Sequence, residues 1–145
     1  MHAVILPPSG ELDVVEKPEG QDTLTWLQSL VGGNIEHLST PWGPHADAWI
    51  NEEGKLIGLH GNAVATTLYR QDMEDGLTHD YLLGDGDYIA GTIVFTGPPT
   101  DEGETQGLEA SDLGVGGLLS ELSAFGLCVL MGIVEPVEVP NRPGA

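Results

Sequence analysis

The stretch Ala46-Asp47-Ala48-Trp49-Ile50-Asn51-Glu52-Glu53-Gly54-Lys55-Leu56-Ile57-Gly58-Leu59 decides how the chain is read. Two arms, Ala46–Ile50 and Lys55–Leu59, flank Asn51-Glu52-Glu53-Gly54. Asn51 and Gly54 bracket a type I turn, and Gly54 is free to take a positive φ and close a bulge. The reading is a β-hairpin, and so an antiparallel pairing. The second anchor is Tyr88-Ile89-Ala90-Gly91-Thr92-Ile93-Val94-Phe95-Thr96, the strongest strand by β propensity, closed by Gly97-Pro98-Pro99. Hairpin and strand are expected at the centre of a sheet, with Trp26, Leu27, Leu30, Ile93 and Phe95 in the core.

Outward from these anchors, Ala3–Leu6 and Leu12–Val15 read as short strands separated by Pro7-Pro8-Ser9-Gly10. Asp22 or Thr23 caps a helix in which Leu24, Leu27, Leu30 and Val31 recur at spacings of three and four, with Trp26 beside them. Gly32-Gly33 stops it. Asn34–Thr40 reads as a strand and Pro41–His45 as a loop. Asn62 caps a short helix from Ala63 to about Arg70. Gln71–Asp87 reads as irregular, with a short strand around Tyr81–Leu83. Ser111-Asp112 caps a last helix with Leu118, Leu119, Leu122 and Phe125 on one face. Leu127–Val134 reads as a buried strand or an extension of that helix. The sum is an α+β fold: a single domain, 1–145, with a mixed or antiparallel sheet of roughly five strands and two or three helices. Residues 100–107 are expected to form a mobile acidic loop, and 135–145 an extended, Pro-rich tail.

The 145-residue chain carries 23 Asp and Glu against four Lys and Arg, a formal net charge of −19. Direct nucleic-acid binding is not expected, because it needs bases that neutralise phosphates. Anionic membranes are repelled for the same reason. Acid on this scale keeps a protein soluble, and it favours basic partners. Cys128 is the only cysteine, so no internal disulfide forms. The opening Met1–Pro7 lacks the basic region of a signal peptide, and no apolar run reaches the roughly 20 residues of a membrane span. A cytoplasmic protein is expected.

Chemistry-bearing motifs are missing. Gly114-Val115-Gly116-Gly117 has the wrong spacing for a dinucleotide loop. Asp85-Gly86-Asp87 fails as a calcium loop, because Thr96 stands where the twelfth-position Glu belongs. His2, His37, His45, His60 and His79 do not pair at zinc-binding spacings. No serine sits in a nucleophile elbow. No metal, cofactor or catalytic residue is therefore assigned, and an enzyme is not expected. One corner offers a ligand site. Gly58-Leu59-His60-Gly61-Asn62 leads into a helix N-terminus, whose free N–H groups hold anions or carbonyls. The candidate set there is His60, Gly61 and Asn62, with Lys55 and Arg70 offsetting the acid. A second candidate is an acidic interaction face of Asp72, Glu74, Asp75, Asp85, Asp87, Asp101, Glu102 and Glu104, in a stretch from Gln71 to Asp112 without Lys or Arg.

Three segments in order carry a family resemblance: Leu27-Gln28-Ser29-Leu30-Val31-Gly32-Gly33-Asn34-Ile35-Glu36, the run from Asn51 to Thr66, and Gly86-Asp87-Tyr88-Ile89-Ala90-Gly91-Thr92-Ile93-Val94-Phe95-Thr96-Gly97. Over Ala3–Leu108 the chain resembles domain-of-unknown-function family 3846, found in phages, mobile elements and actinobacterial genomes. The resemblance implies a phage or mobile-element accessory protein that binds and modulates a host protein in the host cytoplasm. Two alternatives stand beside it. One is an acidic DNA mimic of the anti-restriction type, acting through the acidic face. The other is a small-ligand-binding protein with its site at the corner after Leu59.

Overall fold

Four consecutive buried residues, Ile93-Val94-Phe95-Thr96, mark a strand covered on both sides. In a computed structural model, which describes residues 1–40, 45–74 and 87–140, this strand is the middle of the sheet. The strands are β1 (His2–Leu6), β2 (Asp13–Glu16), β3 (Ile35–Ser39), β4 (Asp47–Asn51) and β5 (Ile93–Thr96). The helices are α1 (Thr23–Val31), α2 (Ala63–Glu74) and α3 (Leu118–Leu130). The sheet order is β2-β1-β5-β4-β3, and every pairing is antiparallel. The fold is α+β, with five strands and three helices among the described residues.

Alternation along the strands sorts side chains to two cores. Ala3 and Val94 meet Trp26, Leu27 and Val31 of α1 on one face. Val4, Leu6, Ala48, Ile93 and Phe95 meet Ala65 and Tyr69 of α2 and Leu118 and Leu122 of α3 on the other. Burying each large apolar side chain contributes about 2 kcal/mol. The expected core residues take their places: Trp26, Leu27, Ile93 and Phe95 are buried, and Leu30 packs partly buried beside α1's core. Leu24 does not join its helical stripe and is half exposed. Asp22 caps α1, its carboxylate accepting from the Thr25 N–H at 3.0 Å, and Gly32 ends it with φ 81°.

The 46–59 hairpin is corrected. Its first arm is β4, but residues 52–58 form turns rather than a second strand. The reason lies in the neighbours. β4 already pairs with β3 on one edge and β5 on the other, so no edge remains for Lys55–Leu59. Asn51 redirects the chain instead. Its Oδ1 accepts from the Glu53 N–H at 2.8 Å and its Nδ2 donates to the Val31 carbonyl at 3.1 Å. Leu56 and Ile57 are consequently exposed.

Tyr88–Thr96 is also shorter than expected. Gly91, at φ 86°, breaks it, and only an isolated bridge between Ala90 and Gly61 precedes β5. The helix after Asn62 runs four residues beyond Arg70, to Glu74. The last helix starts at Leu118 after Gly117 rather than at Ser111-Asp112, because residues 110–117, three of them glycine, form turns. Leu127–Leu130 extend α3, and they are not buried as a strand would be: Leu127 and Leu130 face outward. Residues 100–104 close a turn, with the Thr100 N–H donating to the Glu104 carbonyl at 2.8 Å. Residues 135–140 form neither helix nor strand. Tyr81–Leu83 and residues 141–145 lie outside the described residues, as does most of the 41–45 loop.

Candidate functional site

The corner after Leu59 is built from the inside. Asn62 is fully buried, and its two amide hydrogens go to the Leu6 carbonyl at 2.9 Å and the Gly91 carbonyl at 3.0 Å. Its Oδ1 accepts from the Ala65 N–H at 3.1 Å, capping α2. Its own N–H donates to the Ile89 carbonyl at 2.7 Å. One side chain thus ties β1, the approach to β5 and α2 together. The Gly61 N–H donates to the Pro140 carbonyl at 2.9 Å. A Cβ on Gly61 would stand 2.6 Å from the Val139 Cβ, so only glycine admits the tail here. His60 is half buried, and its carbonyl accepts from the Gly91 N–H at 2.8 Å. The N–H groups of Gly61, Asn62 and Ala65 are therefore engaged within the chain, and a hollow of about 400 Å³ beside them is walled by Val139 and Pro140.

Lys55 and Arg70 are not at this corner. They meet at Asp87. Lys55 Nζ pairs with the Asp87 carboxylate, and the ammonium lies 5.6 Å from the centre of the Tyr88 ring. Arg70 Nη2 donates to the Asp87 carbonyl at 2.7 Å, while its Nε is buried without a hydrogen-bond partner among the described residues. Partial burial works to raise the Asp87 pKa. The hydrogen bonds from Lys55 and the Tyr88 N–H, with the charges of Lys55 and Arg70, outweigh it and hold the carboxyl below its ordinary value. Asp87 is thus a fixed anion at neutral pH and a poor proton acceptor. The pair borders a hollow of about 370 Å³ floored by Leu38 and Ile50 and edged by Glu36, Glu52 and Glu53.

The acidic face divides. Asp87 precedes β5 and is paired with a base, whereas Asp101, Glu102 and Glu104 are exposed beyond its other end. Asp72 and Glu74 fall on the last turn of α2, whose side chains lie outside the described residues, as do Asp75 and Asp85 altogether. Among the described residues, no three His, Cys, Asp or Glu side chains gather around a common point to hold a metal. No helix there is long and apolar enough to cross a membrane.

A third feature was missed in the sequence. Ser123, Gly126, Leu127 and Leu130 share one face of α3 and line a groove of about 390 Å³, closed opposite by Leu12 and Val64. Leu127 is 54% and Leu130 83% exposed. Reading 127–134 as either a buried strand or an extension of the helix left open which face they take. The spacing of three and four at 123, 126, 127 and 130 was the available signal.

The sheet, with α1 and α2, lies inside a stretch that matches one family model, Domain of unknown function (DUF3846), over residues 1–114. The chain belongs to that family. The family match takes in the five described strands and the Asn62 corner and ends at residue 114, so α3 lies outside the matched stretch. No curated protein and no solved structure matches the chain.

Proposed function

We propose that the protein is a phage or mobile-element accessory factor that binds and modulates a host protein in the host cytoplasm, and that the partner presents a basic surface. One observation carries the charge part of this reading. Each of the three described bases is engaged within the chain: Lys17 Nζ donates to the Gln21 carbonyl, Lys55 pairs with Asp87, and Arg70 donates to the Asp87 carbonyl. With 23 acids against four bases, the surface carries a large excess of negative charge, a net −19. Such a surface steers basic proteins toward it and repels nucleic acid. The role as a modulator rests on the family resemblance.

The test is retention of host proteins on the immobilised chain. Basic proteins are expected to bind at low salt and to elute near 0.5 M salt, where exposed charges are screened within a few ångströms. Retention of no host protein, together with turnover of a compound from a metabolite library, would replace this reading with an enzyme. Competition by duplex DNA for the same retained protein would narrow it to DNA mimicry.

A further inference from the structure

We infer that the groove beside α3 docks an apolar segment of the partner flanked by lysine or arginine. This inference rests on the protein-binding reading above and adds the surface and the chemistry. Two kinds of observation meet at the groove. The first is unfilled apolar space. Leu127 and Leu130 stand out from α3, Leu12 and Val64 close the far side, and the floor at Gly126 is open, since a Cβ built there meets nothing within 4 Å. Met131 and Ile133, past the helix end, are 65% and 69% exposed as well. Exposed apolar surface of this kind marks a place that another surface covers.

The second is charge, which selects among the things that could cover it. Glu11 is the charged residue lining the groove, and the chain as a whole carries a net charge of −19. A second copy would bring −19 against −19 and is repelled. An anionic lipid surface is repelled likewise. A segment with an apolar face and basic flanks satisfies both the apolar groove and Glu11 beside it, and the net negative charge of the chain speeds its encounter.

A synthetic 14-residue amphipathic helix of leucine and lysine serves as the probe, with a leucine and glutamate helix as its counterpart, both titrated at 150 mM salt. The wild-type chain is expected to bind the first and not the second. Gly126→Met fills the groove without adding charge, and it raises helix propensity, so it folds. It is expected to weaken binding at least tenfold. Leu130→Glu is the sharper variant. Charge alone would make it bind the basic helix more tightly, whereas loss of the apolar contact makes it bind at least tenfold more weakly. Leu56→Glu, at an equally exposed position away from α3, is expected to bind no more weakly than wild type. Unchanged or tighter binding by both Gly126→Met and Leu130→Glu would overturn the groove while leaving a charge-driven partner in place. Equal affinity for the glutamate helix would overturn the charge argument. A wild-type dimer that Leu130→Glu converts to monomer would make a second copy the occupant. No affinity of the wild type for any basic probe would remove the underlying reading as well.

Discussion

Asn62 is the residue on which most of the corner depends, and its chemistry can be separated from its shape. Asn62→Asp keeps the acceptor that caps α2 but loses both donors facing the Leu6 and Gly91 carbonyls. A buried carboxylate then points at two carbonyl oxygens, which costs about 3 kcal/mol or more. Urea denaturation at pH 7 measures the loss. Burial raises the folded pKa of the new acid above its unfolded value, so the loss is full at neutral pH and shrinks as pH falls through the folded value. Lys55→Met probes the other cluster with the opposite sign. Asp87 has a folded pKa below 3.8, so its stabilisation is present above that value and lost as pH falls through the lower folded one. Both partners are 40% or more exposed, so solvent screens the pair and the variant loses less than about 1 kcal/mol at pH 7. The two proteins should converge in stability near pH 2. The capping role of Asn62 was legible from its place before an apolar helix. Its grip on β1 was not, because Leu6 is remote in sequence and no local pattern announces such a bond.

Elements were legible where a pattern was local and unambiguous. The Asp22 cap, the Gly32 stop, the apolar run of β1 and the strand expected from the β propensity of β5 all survive in the structure. The hairpin did not, because turn chemistry at Asn51 and Gly54 specifies a reversal of the chain but not which strand accepts the pairing. That choice is made by β3 and β5, which occupy both edges of β4. The tail was legible as non-helical over 135–140 but not as attached. It is held by the Gly61 N–H at the Pro140 carbonyl and by the Val137 N–H at Thr67 Oγ1, 2.8 Å away. Gly61→Ala places a Cβ where Val139 and Pro140 sit. The variant should lose the strap at a cost of about 1 kcal/mol, and hydrogen exchange should show the Val137 amide opening while β5 amides stay protected. Unchanged Val137 protection would mean the tail is held by other contacts.

Charge acts on the molecule as a whole. With 23 acids against four bases, self-repulsion opposes the folded state wherever it is unscreened. Raising salt from 0.01 M to 0.5 M shortens the screening length from about 30 Å to a few ångströms. The melting temperature should rise by on the order of 5 °C, as a gain of 1–2 kcal/mol gives for a domain of this size. A salt-independent melting temperature would mean that the acids are spaced too widely to repel one another. The sequence made this charge plain but not its arrangement, since Asp87 and Glu104 belong to one acidic stretch and settle beyond opposite ends of β5.

The place of β5 in the sheet also governs how the molecule can come to be. β1 with β2, and β3 with β4, are neighbours in the chain and can close early as local hairpins, on the microsecond scale. The two share no edge. Within the sheet they are joined only by β5, which is made last of the strands and must slide between Val4 and Ala48. Until then each half exposes an unpaired strand edge, the condition under which chains associate wrongly. Refolding should therefore show the hairpins before the joined sheet, and Val94→Asp, which charges the middle of the keystone strand, should slow the second step without delaying the first in stopped-flow measurements. A nascent chain halted just before Ile93 holds two hairpins and no strand to join them into one sheet.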